Sequence, residues 1–231
     1  MITITTSWDD GHPLDERLAE RLRHHGLAAT FYVPTRCDRP VLDRSALRRL
    51  ASLGFEIGGH TVTHRALTSL GDSEALAEMR DNRLFLEDTL GSPVTSFCYP
   101  CGRFSRRLMG LARAAGFQRA RTTMGLRSDR GEPFALPVTV QNYPHGHRAH
   151  LTHAIKEGNL RGMTAWLRDG APSDPSRILA QACGVNDGIV HLWGHSWELE
   201  EQGLWPLFER LAAQLSGVPR GCHLANDRAY T

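Results

Sequence analysis

Three residues in the 231-residue sequence could share one cation. His60 and His64 form an H-x3-H pair, which would put two neutral imidazoles on one face of a helical turn. Asp10 would add an anionic oxygen. Three protein ligands leave a coordination position open, the mark of a catalytic rather than a structural site. An ion so held acidifies a water and polarises a carbonyl. Asp9 stands beside Asp10, and adjacent carboxylates repel unless a cation is near. One can ligate while the other accepts a proton. An H-x3-H pair alone arises by chance, and Asp-Asp-Gly is a common turn. The combination, with an apolar strand running straight into Asp9, is more specific than either part.

Something must bring these residues together. Residues 2–8 read as a strand, and 14–25 as a helix with Leu14, Leu18 and Leu22 on one stripe and Gly26 as its stop. Strand-like 28–33 and helical 44–53 follow, then strand-like 55–59. A longer helix begins at Ser73 and ends at Gly91. The alternation continues with 95–99 (strand), 105–115 (helix), 118–122 (strand) and 135–140 (extended). It ends with 148–169 and 174–183 (helices), 188–193 (strand) and 204–215 (helix). Alternation of this kind implies a parallel sheet with helices outside it. About seven units favour a distorted (β/α) barrel, with an open doubly wound sheet as the alternative. In such a barrel, chemistry gathers at the C-terminal ends of the strands. Asp9-Asp10-Gly11, His60 to His64, Tyr99-Pro100-Cys101-Gly102 and Gly194-His195-Ser196 all fall there.

The bulk properties exclude other classes. With 27 basic and 25 acidic residues the net charge is +2, too balanced to expect nucleic acid as a partner. No apolar run approaches a membrane span, so membrane insertion is not expected. Five cysteines, at 37, 98, 101, 183 and 222, make no even disulfide framework. The first residues show no leader pattern, so a cytoplasmic location is expected.

Together the motifs resemble the polysaccharide deacetylase family, the NodB-homology domain also called carbohydrate esterase family 4. Ser7-Trp8-Asp9-Asp10-Gly11 matches the family's first motif and His60-Thr61-Val62-Thr63-His64 its second. Cys98-Tyr99-Pro100-Cys101-Gly102 matches the third in part, Trp193-Gly194-His195 resembles the last, and the fourth has no clear match. The resemblance implies one catalytic domain over residues 1–231 that hydrolyses an N-acetyl group from an amino-sugar glycan or conjugate. It implies Asp10, His60 and His64 as metal ligands, Asp9 as general base and His195 as general acid to the leaving amine. The backbone N–H of Cys101 becomes an oxyanion donor. Tyr99, Pro100 and Trp197 are expected to meet substrate. The cofactor expected is one divalent metal ion, zinc first, with cobalt, nickel and manganese as alternatives. Where the family carries an arginine that orients the base, this sequence has Cys98. Arg121, at the end of the next strand, is expected to fill that space.

A metal-dependent hydrolase of a non-sugar amide is the alternative, because the metal chemistry is indifferent to the rest of the substrate. Two His and a carboxylate also describe the iron site of non-haem oxygenases, which the β–α alternation and His195 fit poorly. Cys98-x-x-Cys101 reads as part of a strand-end loop rather than a redox pair. The His-rich stretch from His145 to His153 is too irregular for a second metal site. Phe31, Tyr32 and Trp166 are expected in the core.

Overall fold

The computed structural model describes residues 2–143, 174–184, 187–218 and 222–230. Seven parallel strands form one sheet in the order β5-β4-β3-β2-β1-β7-β6. They are β1 (Ile2–Asp9), β2 (Thr30–Val33), β3 (Glu56–Gly59), β4 (Ser96–Cys98), β5 (Arg119–Arg121), β6 (Val140–Gln141) and β7 (Gly188–Gly194). The helices are α1 (Asp15–His24), α2 (Arg44–Ser52), α3 (Asp72–Leu90), α4 (Arg106–Ala114), α5 (Pro175–Cys183), α6 (Ser196–Glu201), α7 (Trp205–Ser216) and α8 (Asn226–Ala229).

The expected barrel is present as a curled sheet whose two ends are joined by one segment. Leu136 bridges Arg121 on the outer side of β5, with Leu136 N–H bonded to Ala120 O and Thr122 N–H to Leu136 O, both at 2.9 Å. The same segment continues into β6, which pairs with β7 at Leu192 and Trp193. β1 and β7 pair from Ile2 opposite Gly188 to Trp8 opposite Gly194, the longest register in the sheet.

The helical stripes are buried as their spacing requires. Leu18 and Leu22 of α1, Leu47 and Leu50 of α2, and Phe208, Leu211 and Leu215 of α7 are all inaccessible. Trp8 meets Phe208 edge-on, with ring centroids 5.6 Å apart. Phe31 and Tyr32 are core residues, as expected. Asp43 and Ser105 cap α2 and α4 by accepting from Ala46 N–H and Leu108 N–H. Gly91 ends α3 in the left-handed conformation, at φ 68°.

Two expectations about elements change. α3 begins at Asp72, one residue before the expected Ser73. α6 was not foreseen: it is a short helix directly after a strand, with too few residues to show a period. The expected helix over 148–169, Trp166 and the stretch from His145 to His153 lie outside the described residues. Among the described residues no helix is long and apolar enough to cross a membrane.

Candidate active site

Asp9 is the last residue of β1, and the chain turns sharply after it. Asp10 takes a left-handed φ of 77° and Gly11 one of 58°. A Cβ on Gly11 would lie 2.6 Å from Val33 Cγ1, so the Asp-Asp-Gly turn requires glycine by contact as well as by conformation. Asp10, Thr61, His64 and Cys101 are four of the five non-glycine residues with positive φ among the described residues. Such conformations are strained, and they cluster here at the strand ends.

His60 and His64 do not lie on a helical turn. Thr61 at φ 71° and His64 at φ 56° fold the segment into a tight loop, closed by His64 N–H on Thr61 Oγ1 at 3.0 Å. Two residues of α3, one turn apart, hold this loop. Asn82 Oδ1 accepts His60 N–H at 2.9 Å. The Glu78 carboxylate accepts Thr63 N–H at 2.8 Å and the Thr63 hydroxyl at 2.7 Å. Neither residue was expected from the sequence. Their signal was polar side chains at i, i+4 on the face of α3 that also buries Ala75, Met79 and Leu86.

The three expected ligands converge. His60 Nδ1 lies 2.8 Å from the Cys98 carbonyl, so that nitrogen carries the proton and Nε2 faces inward with a lone pair. His64 Nε2 is 3.2 Å from His60 Nε2. Asp10 Oδ1 is 3.5 Å and 3.1 Å from these two nitrogens and is served by no hydrogen bond. Three Lewis bases at such separations, with a buried orphan oxygen among them, fit one divalent metal ion. Burial would favour neutral Asp10, but the adjacent His60 and His64 imidazoles, with His195, hold its carboxyl far below the ordinary carboxylate range. A second cluster, Asp9, His60 and Cys98, is also close enough to ligate. It fits an ion less well, because burial pushes the Cys98 thiol up and the Arg121 guanidinium already holds Asp9.

Arg121 and Asp9 form a buried pair. Arg121 Nη2 contacts both Asp9 oxygens, and Cys98 Sγ lies 3.6 Å from Oδ2. In a flat sheet β5 and β1 would be roughly 19 Å apart at about 4.8 Å per strand. The curl of the barrel is what lets one side chain span the interior. Arg121 also lies 5.2 Å from the Tyr32 ring centroid and 4.9 Å from that of Trp193. Burial would raise the Asp9 carboxyl, but Arg121, with His60 and His195, holds it below its ordinary value.

His195 directly precedes α6, makes no side-chain cap bond to it, and faces the same site. Its Nδ1 is 2.8 Å from Glu198 Oε2, and its Nε2 is 3.9 Å from Asp10 Oδ2. Burial opposes its protonation, but Glu198, with Asp9 and Asp10, raises its pKa above the ordinary histidine value. Glu198 was missed, since the i, i+3 pair is visible only once α6 is known.

The strand-end loop after β4 makes a 3-10 turn in which Cys101 is left-handed, at φ 57°. The N–H groups of Gly102 and Arg103 bond within the turn at 3.0 Å and 3.2 Å, whereas that of Cys101 meets no acceptor among the described residues. Pro100 is buried at the start of this turn. The Tyr99 side chain does not face the cleft, contrary to its expected substrate contact. It is fully buried, and its hydroxyl donates to Phe134 O at 3.0 Å. Tyr99 points into the layer between sheet and helices, on the face opposite Cys98, because it follows β4 in phase with Phe97, whose ring it meets at 5.2 Å. Trp197, expected to meet substrate, is half-buried beside the three ligands. Its Nε1 donates to Asp10 Oδ2 at 2.9 Å, and its ring lies against His195 and the Arg39 guanidinium. Cys98 is buried, Cys101 is exposed, and both are free thiols.

The polysaccharide deacetylase family model matches residues 2–120 of this fold and site. The chain belongs to that family. It is 24% identical over 121 residues to YxkH of Bacillus subtilis, covering 52% of this chain and 41% of that protein. It is 31% identical over 112 residues to chitin deacetylase 1 of Cryptococcus neoformans, covering 48% of this chain and 23% of that one. The matched stretch thus spans less than half the length of these curated relatives. In fold it resembles the family 4 carbohydrate esterase of Streptomyces lividans, solved in complex with acetate. That TM-score is 0.58 at 17% identity, covering 93% of this chain and 89% of the other.

Proposed function

We propose that the chain is a zinc-dependent hydrolase that removes the N-acetyl group of an amino-sugar compound. One observation carries this reading: a three-ligand cation site flanked by a carboxylate held by arginine and an imidazole held by glutamate. Family membership and the likeness to a chitin deacetylase support it.

Asp10, His60 and His64 would hold the ion. Zinc suits their two nitrogens and one oxygen, and when bound it supplies Lewis acidity for an acetyl carbonyl. Asp9, kept anionic by Arg121, accepts a proton from the attacking water at its carboxylate. His195 keeps Nδ1 on Glu198, which leaves Nε2 to deliver a proton to the departing amine nitrogen. The Cys101 N–H donates to the oxygen that gains charge as the carbonyl is attacked. A backbone donor does not depend on the side chain, so cysteine serves at this position. Trp197 N–H keeps Asp10 Oδ2 occupied and leaves Oδ1 for the ion. Arg121 orients Asp9 in the role that the family gives to an arginine at the position of Cys98.

The test is acetate release from N-acetylated amino-sugar oligomers by chelator-treated protein with and without added zinc. Zinc-dependent release, abolished by Asp9→Asn, is the expected result. Cleavage of small non-sugar amides with none of the sugars would replace the substrate class, and no hydrolysis of either would overturn the reading.

A further inference from the structure

Arg39 lies between β2 and α2, in a stretch fixed at both ends to the loops that carry the expected metal ligands. Thr35 N–H donates to Thr61 O at 3.1 Å and Arg36 N–H to Val62 O at 2.8 Å, both in the His60–His64 loop. Leu42 N–H donates to Gly11 O at 2.8 Å, in the Asp-Asp-Gly turn. From this fixed root the Arg39 guanidinium lies over the Trp197 ring, 3.7 Å from its centroid. Glu201 orients the group, with Oε1 accepting from Nη1 at 2.5 Å and Oε2 from Nη2 at 3.5 Å. Trp197 is the second residue of α6 and Glu201 the last. One side chain therefore grips both ends of the short helix that follows His195.

Both members of the Arg39–Glu201 pair are well exposed, and such a pair contributes little by itself. The contact with the indole differs, because a planar cation stacks on an aromatic face and is attracted by its quadrupole. That indole donates Nε1–H to Asp10 Oδ2 at 2.9 Å, and its ring centroid is 5.1 Å from that of His195. A helix of six residues has little stability of its own, so a ring that serves two site residues from it needs an outside hold. Neither Arg39 nor Glu201 has a part in the proposed chemistry. We propose that Arg39 is a positioning residue, whose guanidinium holds the Trp197 indole so that its N–H meets Asp10 and its ring lies against His195. Glu201 keeps the guanidinium plane over the ring.

The test compares wild type, Arg39→Ala, Trp197→Phe and the double variant. Trp197→Phe removes one indole N–H signal from the proton–nitrogen NMR spectrum and so assigns it. In Arg39→Ala, with no metal added, that proton exchanges with solvent about threefold faster or more. Zinc affinity, measured by chelator competition, falls by about threefold. Loss of a nearby positive charge would by itself tighten the binding of a dication, so weakening reports lost positioning. In the Trp197→Phe background Arg39→Ala weakens zinc no further, because the N–H it would position is gone. The kinetic arm alone rests on the hydrolase reading, with kcat lower by about threefold or more and KM within about twofold of wild type. The proposal is overturned if the indole proton of Arg39→Ala exchanges as in wild type, if zinc binds as tightly or tighter, or if the effects of the two substitutions add. A higher KM at unchanged kcat would make Arg39 a substrate contact and would overturn it too. If wild-type protein hydrolyses no acetylated sugar or binds no zinc, the hydrolase reading falls, and the indole exchange still decides the role of Arg39.

Discussion

Arg121 on β5 holds both carboxylate oxygens of Asp9 on β1, although three strands lie between them in the sheet. Each is buried, so each is the counter-charge that the other needs there. Removing one partner of such a pair costs more than removing both. Arg121→Leu should destabilise the protein by about 3–5 kcal/mol in denaturant unfolding. Adding Asp9→Asn should recover much of that stability while hydrolysis stays lost. A stable Arg121→Leu protein with full turnover would remove the pair from both roles.

Metal affinity should depend on residues that never touch the ion. Glu78 and Asn82 hold the His60–His64 loop from α3, and loss of such support typically costs 10–100-fold in affinity. Asn82→Ala should weaken zinc binding within about that range and also destabilise by about 1–3 kcal/mol, because His60 N–H loses its partner. His60→Ala should abolish stoichiometric binding. Equilibrium dialysis of the three proteins measures this, and equal affinity for Asn82→Ala and wild type would contradict it.

Trp197→Phe keeps the ring and removes the N–H on Asp10. It should leave unfolding within about 1 kcal/mol of wild type but lower zinc affinity severalfold, since Asp10 is then free to rotate. If the indole instead serves as a sugar platform, KM for oligomers would rise with zinc affinity unchanged.

Acid should weaken the fold through His191. Burial foremost, then Arg121, holds its pKa well below 6.5, and it sits between Ser7 Oγ at 2.8 Å and the Tyr230 hydroxyl at 2.9 Å. Below about pH 6.5 the unfolded chain takes up a proton that the folded imidazole refuses, so stability falls by up to about 1.4 kcal/mol per pH unit. Above pH 6.5 this contribution is complete. The gap in melting temperature between wild type and His191→Gln should therefore narrow from pH 7.5 to pH 5. A constant gap would show that His191 does not contribute to the acid response.

Much of the site was legible because its ligands come in local motifs. Asp9, Asp10, His60 and His64 meet as the strand-end argument requires. Even Arg121 could be reached from sequence, since the next strand was the nearest place for a displaced arginine to return. What was hidden depends on partners distant in sequence. Glu78 and Asn82 look like ordinary helix-surface polar residues until the loop lies against them. The turn at His60–His64 has helical spacing but left-handed residues, and backbone sign has no clear mark outside glycine. Tyr99 was misplaced because a strand-end loop still obeys the alternation of its strand, which points that ring toward the helices, on the face opposite Cys98. Glu198 depended on a six-residue helix too short for periodicity to reveal.

The segment that joins β5 to β7 has a consequence outside the chemistry. A terminal strand of an open sheet shows a row of unpaired amide and carbonyl groups, which another chain can extend. Here Pro133 and Leu136 take that row on β5, with Ala120 N–H on Pro133 O at 2.8 Å and Thr122 N–H on Leu136 O at 2.9 Å. The stretch that closes the barrel is therefore also a guard against strand-by-strand aggregation at that side of the molecule.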